Sequence, residues 1–393
     1  MLTTALSLVS TLIALLPSPH LKESLKALLA LLIKGRGKAR PQHTPLKSPS
    51  ALSRFLNHYP WPTRLFIRTT RKAMERALLA QIAHRRRGPR PRLLVVIDLV
   101  TLPKRGCFPA LPLSFFHGQW GLHLVVLYLV YGPLRLPWAY RVWRGKGEKT
   151  LSLLALRLLH TLPPWIPRRF RLRVVADSAF GTLTFLYGLH RLGYEGVVGM
   201  RRNRRLSDGQ KLAEVRQGER VFLRGLSLPV WVVRYRYPRP GGEVEGRYVV
   251  STFRATPGTV LVWGRRRFSI EVFFRVMKSE LSFGCFGQRT ALGVHRFLPL
   301  SLLAYLLVHW VRVEGVLPGV SRASGRSIGF SLSWCGWRFM CSWPGLVRGG
   351  GRGSFGGLLP SRMDVNAGYA GGARNELTVL LRGAGATICL AQG

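Results

Sequence analysis

The sequence predicts an α/β protein built on a mixed β-sheet with helices on its faces, together with an N-terminal helical domain and a β-rich insertion. Between residues 93 and 200, apolar patterns follow the order strand, strand, strand, helix, strand, helix, strand. Three successive strands without a helix argue against a doubly wound dinucleotide-binding fold, in which a helix follows nearly every strand. From residue 206 to 262, apolar and polar residues alternate, which is typical of further strands.

Composition and charge indicate the class of partner. The chain has 393 residues, of which 60 are Lys or Arg and 16 are Asp or Glu, so the formal net charge is +44. Such a charge predicts binding to a polyanion. Hydrophobic residues make up 47% of the chain, which provides for a sizeable core and excludes a disordered basic tail protein.

Cysteines and apolar runs bear on redox state and compartment. The 5 cysteines form no Cys-x-x-Cys pair and no His stands at zinc-finger spacing, so neither a disulfide framework nor a structural zinc site is predicted. The longest apolar runs, at 3–16 and 297–311, are shorter than the roughly 18 to 20 residues that span a bilayer. We therefore expect no membrane insertion and a cytoplasmic protein associated with nucleic acid.

The first ninety residues predict a helical domain. Two amphipathic helices are expected within 1–34, followed by a basic, proline-containing connector at 35–49. Ser50 is the predicted N-cap of a third helix, because apolar residues follow it at helical spacing. A fourth helical pattern covers 63–83. This basic domain either contacts DNA or packs as a solvated bundle on the core, and no helix-turn-helix spacing decides between the two.

A basic, proline-broken linker at 84–92 precedes the core. The continuous apolar run Leu93–Val100 is typical of a strand that is covered on both faces. Thr150 and Gly193 are the predicted N-cap of one core helix and C-cap of another. The elements expected in chain order are strands at 93–100, 121–131 and 137–143, a helix at 150–162, a strand at 171–177, a helix at 182–192, a strand at 196–200, the insertion strands, and helices at 268–281 and 296–311.

The end of the chain differs in composition and periodicity from the rest. Residues 315–393 are rich in glycine and show no periodicity. We interpret them as an irregular tail that is out of frame or disordered, the alternative being a flexible basic tail that touches nucleic acid nonspecifically. The predicted domains are therefore a helical domain at 1–90, two parts of a catalytic core at 91–205 and 263–314, the β-rich insertion at 206–262, and the tail.

Two of the few acidic residues stand at the ends of apolar strands. An ionised carboxylate at Asp98 or Asp177 is costly there unless it is paired or bound to a metal ion. A single aspartate in such a place is best explained by a salt bridge or a loop hydrogen bond. Two of them on central strands of one sheet favour a ligand site.

A third oxygen ligand is expected from the helix after the insertion, where Glu271 and Glu280 are the candidates. One face of this helix carries a basic and acidic stripe that consists of Arg267, Glu271, Arg275 and Lys278. The stripe is either an ordinary set of ion pairs on a solvated face or part of the site. Glu280 has no arginine four residues before it, so Glu271 is the preferred third ligand.

Three such carboxylates suit phosphodiester chemistry. They could hold two Mg²⁺ ions roughly 4 Å apart, which clamp the attacking and leaving oxygens of an in-line displacement. Mg²⁺ takes hard oxygen ligands and keeps waters that can act as the nucleophile. The excess of cationic side chains would hold the rest of the polyanion.

These residues resemble those of the DDE transposases of bacterial insertion sequences. The resemblance is to the group that has a β-strand insertion before the catalytic Glu and a Tyr-x2-Arg-x3-Glu-x6-Lys signature. Arg267, Glu271 and Lys278 match the last three signature positions, whereas Gly264 occupies the Tyr position. The segments 95–98, which ends in Asp98, and 174–181, which contains Asp177, resemble the two acidic blocks of the family, and 193–201 resembles the strand that follows. The resemblance covers about residues 50–312.

The resemblance implies a ribonuclease H-like core that cuts the 3′ end of the element and joins it to target DNA. Asp98, Asp177 and Glu271 would then be the catalytic and metal-binding residues, with two Mg²⁺ or Mn²⁺ ions as cofactors. The implied partners are double-stranded DNA, as terminal inverted repeats and target, and a second copy of the chain in a homodimeric synaptic complex. The implied location is cytoplasmic and DNA-associated.

The resemblance also implies DNA-binding residues. Arg267, Lys278 and Arg275 would contact the terminal DNA, and the missing Tyr removes one expected contact. Trp231 and Trp263 are candidates for stacking on an unpaired base, the alternative being strand aromatics that cover the core.

Two other functions compete with a transposase. One is a ribonuclease H-like nuclease that only hydrolyses DNA, which an assay of strand transfer separates from a transposase. The other is a basic DNA-binding protein or a catalytically impaired transposase copy. The acidic trio argues against full decay of the copy, whereas Gly264 and the irregular tail argue for partial decay.

Overall fold

A nine-stranded mixed sheet runs through the described part of the chain. The computed structural model describes residues 2–313 other than 36, 38, 41–42, 84–87, 107 and 239–243. The tail predicted at 315–393 and part of the predicted linker at 84–92 therefore lie outside the described residues.

The elements alternate between helical and stranded blocks. Four helices come first: α1 (Leu2–Ala14), α2 (Pro19–Lys34), α3 (Pro49–Asn57) and α4 (Thr63–Ile82). The core continues with β1 (Arg92–Pro103), β2 (Ser114–Phe116), β3 (Gln119–Tyr131), β4 (Leu134–Trp143), α5 (Leu151–Leu159), α6 (Trp165–Arg169), β5 (Arg171–Ala176), α7 (Leu183–Arg191) and β6 (Glu195–Met200). The last elements are β7 (Arg220–Phe222), β8 (Pro229–Pro238), β9 (Val244–Ser251), α8 (Pro257–Ser279) and α9 (Ala291–Val313).

The sheet has the order β2-β3-β1-β5-β6-β9-β8-β7, and β4 also pairs with β3. β1 runs antiparallel to β3 and parallel to β5, which in turn runs parallel to β6. The predicted mixed α/β architecture is therefore confirmed. The insertion strands join the same sheet, because β9 pairs with β6 as well as with β8.

Helices cover the sheet and bury its central strands. Tyr128 of β3 stacks on Phe273 of α8 and shares a hydrogen bond of 2.9 Å with the hydroxyl of Tyr305 in α9. α5 and α7 pack against each other and cover the opposite face at β3, β4 and β6. The apolar run Leu93–Ile97 is buried, as its composition predicts, and each such side chain contributes about 1.5–3 kcal/mol when it leaves water.

The N-terminal helices are fastened to the core through α9. Arg296 of α9 is 5% exposed and donates hydrogen bonds to the carbonyl oxygens of Phe55 and Leu56, where α3 ends, and to the hydroxyl of Thr63. Its guanidinium also lies 4.7 Å from the ring centroid of Trp61. A buried cation thus satisfies carbonyl groups that a helix end leaves without partners.

Several helix ends differ from the sequence prediction. The N-cap of α3 is Ser48 and not Ser50, because Pro49 has no N–H and takes the first helical position, so the Ser48 hydroxyl accepts from the Ala51 N–H. Thr150 caps α5 as predicted, whereas the C-cap of α7 is Leu192 and not Gly193, which is the next residue and has φ at +68°. The short elements β2 and α6 were not predicted.

The largest correction concerns the start of α8. Residues 257–262 were assigned to the insertion strands, but they form the first turns of this helix. Thr256 is its N-cap and accepts a hydrogen bond from the Thr259 N–H, while Pro257 takes the first helical position. Trp263 consequently lies on a helix and not on a strand.

Among the described residues, α9 is the one helix long and apolar enough to cross a bilayer. However, 72% of its most apolar window is buried inside the protein. A helix that is apolar on all sides is also typical of a helix buried in the core of a folded protein.

His309 of α9 is largely buried and contacts two backbone groups. It forms a hydrogen bond with the backbone of Pro133, while its Nε2 accepts from the Arg135 N–H at 3.0 Å. Burial, followed by the charges of Arg135 and Arg312, lowers the pKa of His309 to about 4.

The depressed pKa of His309 predicts an acid-sensitive fold. Because the unfolded chain binds a proton near pH 6.5 and the folded chain does so near pH 4, this group stabilises the fold above pH 6.5, and its contribution is lost as the pH falls towards 4. The loss amounts to up to about 3 kcal/mol. Replacing His309→Gln keeps a hydrogen-bond acceptor but removes the titration. Denaturant unfolding at several pH values should therefore give a flatter profile for this variant, whereas His160→Gln at an exposed position should follow the unsubstituted protein.

Candidate active site

Asp98 and Asp177 lie side by side on neighbouring parallel strands. Ile97 of β1 pairs with Ala176 of β5, and the residue that follows each of them is an aspartate. Adjacent strands are about 4.8 Å apart. β5 ends at Ala176, so Asp177 begins a turn, whereas Asp98 still lies within β1.

The turn at Asp177 is fixed by its own side chain and by a glycine on the next strand. The Asp177 carboxylate accepts a hydrogen bond from the Ala179 N–H, which caps a single 3-10 turn. A Cβ added at Gly199 of β6 would lie 2.6 Å from the Ser178 nitrogen, so only glycine allows this approach. The sequence analysis did not single out Gly199, although a glycine inside a strand often marks close backbone contact.

Arg267 joins the carboxylates of two separate elements. From α8, its Nη1 donates to Oδ2 of Asp98 at 3.1 Å and its Nη2 donates to Oε1 of Glu271 at 2.7 Å. The side chains of Arg267 and Asp98 are 16% and 12% exposed, and that of Glu271 is 42% exposed. The predicted i,i+4 pair on the helix is therefore present, and it extends to the buried aspartate on the sheet.

The electrostatics of Asp98 reflect all three carboxylates. Burial raises the pKa of Asp98 to about 7, against the lowering effect of the Arg267 charge. The negative charges of Asp177 and Glu271 raise this pKa further, while the Leu99 N–H, which donates to Oδ1 at 2.8 Å, lowers it. Glu271 is thus a glutamate whose charge acts on Asp98.

The carboxylates do not form a ready-made metal cluster. In the part of the chain that the structure describes, no three His, Cys, Asp or Glu side chains are grouped so that they could hold a metal ion. The cation between Asp98 and Glu271 is the guanidinium of Arg267. The metal-binding role of the trio therefore stays a prediction.

The remaining predicted site residues lie on α8 and in the insertion. Lys278 and Arg275 are exposed on α8, and Glu280 follows the last residue of this helix. Trp231 is half-buried on β8 between β7 and β9. Trp263 is 6% exposed, and its ring is covered by two guanidinium groups at 4.4 and 4.6 Å from the centroid. This environment favours the interpretation of Trp263 as a core aromatic.

Comparison with known proteins gives one family match. Residues 125–307 match the family model of the transposase DDE domain. The match includes Asp177, Arg267 and Glu271 and begins after Asp98. The matched domain is that of an enzyme, a metal-dependent DNA transposase.

No curated protein shows a significant match to the chain. Among solved structures, the chain is similar to the piggyBac transposase in a synaptic complex with hairpin DNA. The TM-score is 0.43 and the sequence identity is 12%, over 80% of this chain and 73% of that chain.

The Arg267 bridge predicts a pH-dependent loss of stability when it is removed. Arg267→Gln leaves Asp98 buried without its counter-charge, which should cost roughly 3 kcal/mol of unfolding free energy at pH 8. At pH 6 the cost should be smaller, because Asp98 then takes up a proton and buries no charge. Denaturant unfolding at both pH values measures this, with the exposed Arg275→Gln on the same helix as the control. An equal cost at the two pH values would contradict the role of the bridge in compensating Asp98.

Gly264, at the Tyr position of the signature, weakens α8. It lies inside the helix without a positive φ, and a Cβ added there would meet no atom within 4 Å. Gly264→Ala should therefore stabilise the protein by about 0.5–1 kcal/mol, because glycine loses more backbone entropy in a helix. Gly258→Ala in the first turn should gain less, and thermal unfolding of both variants measures the difference. If Gly264→Ala instead unfolds at a lower temperature than the unsubstituted protein, the space beside Gly264 does not accept a methyl group.

Proposed function

We propose that this protein is the DNA transposase of a bacterial insertion sequence, which cleaves the ends of the element and joins them to target DNA by a DDE mechanism. The observation that carries the proposal is the bridge from Arg267 to Asp98 and Glu271, with Asp177 beside Asp98 on the next strand. These residues come from three separate segments of the chain. The transposase domain match over residues 125–307 supports the same function.

The strand order supports a ribonuclease H-like core. β4, β3 and β1 form an antiparallel set, and β5 and β6 follow parallel to β1. Asp98 then lies within one central strand and Asp177 directly follows the last residue of the neighbouring one. α8 crosses this part of the sheet and brings Glu271 to it.

The donor set suits a divalent cation. Asp98 is a buried carboxyl whose ionised form is incompletely compensated, and Glu271 already shares a cation with it. Asp98, Asp177 and Glu271 would hold Mg²⁺ or Mn²⁺ through hard carboxylate oxygens. When bound, two such ions would activate the attacking hydroxyl or water and stabilise the leaving oxygen.

The protein's own groups orient these carboxylates. The Leu99 N–H and the Arg267 guanidinium each hold one oxygen of Asp98, and the Ala179 N–H holds one oxygen of Asp177. Arg267 also fixes the direction of Glu271 along the helix. Preorganised carboxylates of this kind require little rearrangement at the moment of reaction.

The proposed partners are the terminal repeats, the target duplex and a second copy of the chain, which would act in a homodimer in the cytoplasm. Lys278 and Arg275 are exposed and available to phosphates, and Trp231 is half-buried near the edge of the insertion. Arg267 is already paired with two carboxylates, which use two of its five N–H donors, so a phosphate contact from this residue would come from the remaining donors.

Conservative substitution of the carboxylates tests the proposal. Asp98→Asn, Asp177→Asn and Glu271→Gln should each lower nicking of an end-containing duplex by at least about a thousandfold, because the chemistry depends on charged oxygen ligands. End binding in a mobility-shift assay should stay within a few fold, since it rests on the cationic side chains. Asp208→Asn, at an exposed acid in the insertion, should change neither.

Strand transfer into a plasmid separates a transposase from a nuclease. Joined products that depend on the three carboxylates support transposition, whereas hydrolysis without joining would favour the nuclease. Binding without any cleavage in Mg²⁺ or Mn²⁺ would favour a DNA-binding protein or an impaired copy. Loss of folding in all three variants would point to a structural role for the acids.

A further inference from the structure

A cleft of about 450 Å³ lies along the edge of β4. In the described residues, β4 pairs with β3 alone, so no further strand covers its outer side. The walls come from α4, the loop before α5, α5 itself and α9. The volume lies within the roughly 300–1,000 Å³ of typical ligand sites.

The cleft concentrates positive charge. Its lining includes five cationic residues from four segments of the chain, namely Arg71, Arg141, Arg144, Lys149 and Arg157. Glu148 is the one acidic residue among the lining residues. Arg141, Arg144, Lys149 and Arg157 are exposed, and no hydrogen bond or ion pair joins their side chains to another described residue.

The fold holds these cations near one another despite their repulsion. Arg71 of α4 donates from Nε to the Trp138 carbonyl at 3.2 Å, which directs its guanidinium into the cleft wall. Burial, followed by the charge of Arg141, lowers the pKa of Arg71. An anion between such groups would relieve the repulsion and gain several favourable charge contacts.

Register connects the cleft to the carboxylates. Asp98 of β1 pairs with Val126 of β3, which pairs with Tyr140 of β4, a residue of the cleft lining. Residues opposite one another on antiparallel strands point to the same face of a sheet. Tyr140 therefore lies on the face that carries Asp98, about 10 Å away across two strand spacings. Arg141, the next residue of β4, points to the other face, which α5 with Arg157 covers, so the cleft runs around the free edge of β4.

We propose that this β4-edge cleft binds the phosphate backbone of the DNA whose scissile bond lies at the carboxylates. The identity of the ligand as DNA rests on the proposed function. The cleft would hold the DNA backbone at a distance of two β-strand spacings from Asp98. It would therefore position the DNA without contacting the reacting atoms. The DNA phosphates would contact cationic side chains of the cleft that form no ion pair with the carboxylates of the active site.

Salt titration of DNA binding tests the cleft apart from catalysis. In EDTA, fluorescence anisotropy with an end-containing duplex gives log affinity against log salt for the full chain. The double variant Arg141→Ala/Arg157→Ala should lower this slope by about two units, because each lost phosphate contact removes about one. The matched control is Arg191→Ala/Arg224→Ala, which removes the same charge from α7 and the insertion and should change the slope by less than half a unit.

Two outcomes would overturn the proposal. Equal slope losses in the cleft variant and the control would show only a general effect of net charge. An unchanged slope in the cleft variant, with thermal unfolding as in the unsubstituted protein, would show that DNA does not enter the cleft. Both outcomes leave the carboxylate test intact, because binding in EDTA requires no cleavage. If the unsubstituted protein does not nick DNA but the cleft variant still lowers the salt slope by about two units, only the proposed function is rejected.

Discussion

The ion pair between Asp98 and Arg267 is the constraint on which the site depends. A strand buried on both faces accepts a carboxylate only if a counter-charge reaches it. That charge comes from a residue 169 positions later in the chain, so the core strands, the insertion and α8 must all be in place before Asp98 is compensated. The same guanidinium fixes Glu271, and the acids of strand and helix are therefore positioned by one side chain.

Much of the fold follows from local pattern, whereas the site depends on contacts that pattern does not encode. The apolar run of β1 and the cap at Thr150 specify their elements, because burial and capping act within a few residues. Spacing along α8 predicts the Arg267–Glu271 pair but not its extension to Asp98, which depends on how the helix crosses the sheet. Only alignment of the strands in three dimensions shows that Asp98 and Asp177 are neighbours.

The errors at helix starts share a physical cause. At Pro49 and Pro257, a proline stands at the first helical position and moves the cap to the residue before it. At the start of α8, the continuous apolar run 260–263 then resembles a strand. The cleft at β4 could not be predicted from the sequence either. Its cations come from α4, β4, the following loop and α5, and no single segment carries a distinctive cluster.

The insertion shares backbone hydrogen bonds with the core through the β6–β9 pair, and this continuity limits how it can move. Five strand spacings separate β1 from β7, or about 24 Å at 4.8 Å each. The insertion is therefore a rigid spacer whose length is set by the number of strands. Any DNA segment held at its outer edge would sit at a fixed distance from the acids, so a change in that distance would require a hydrogen-bonded strand pair to separate and could not arise from rotation about a hinge.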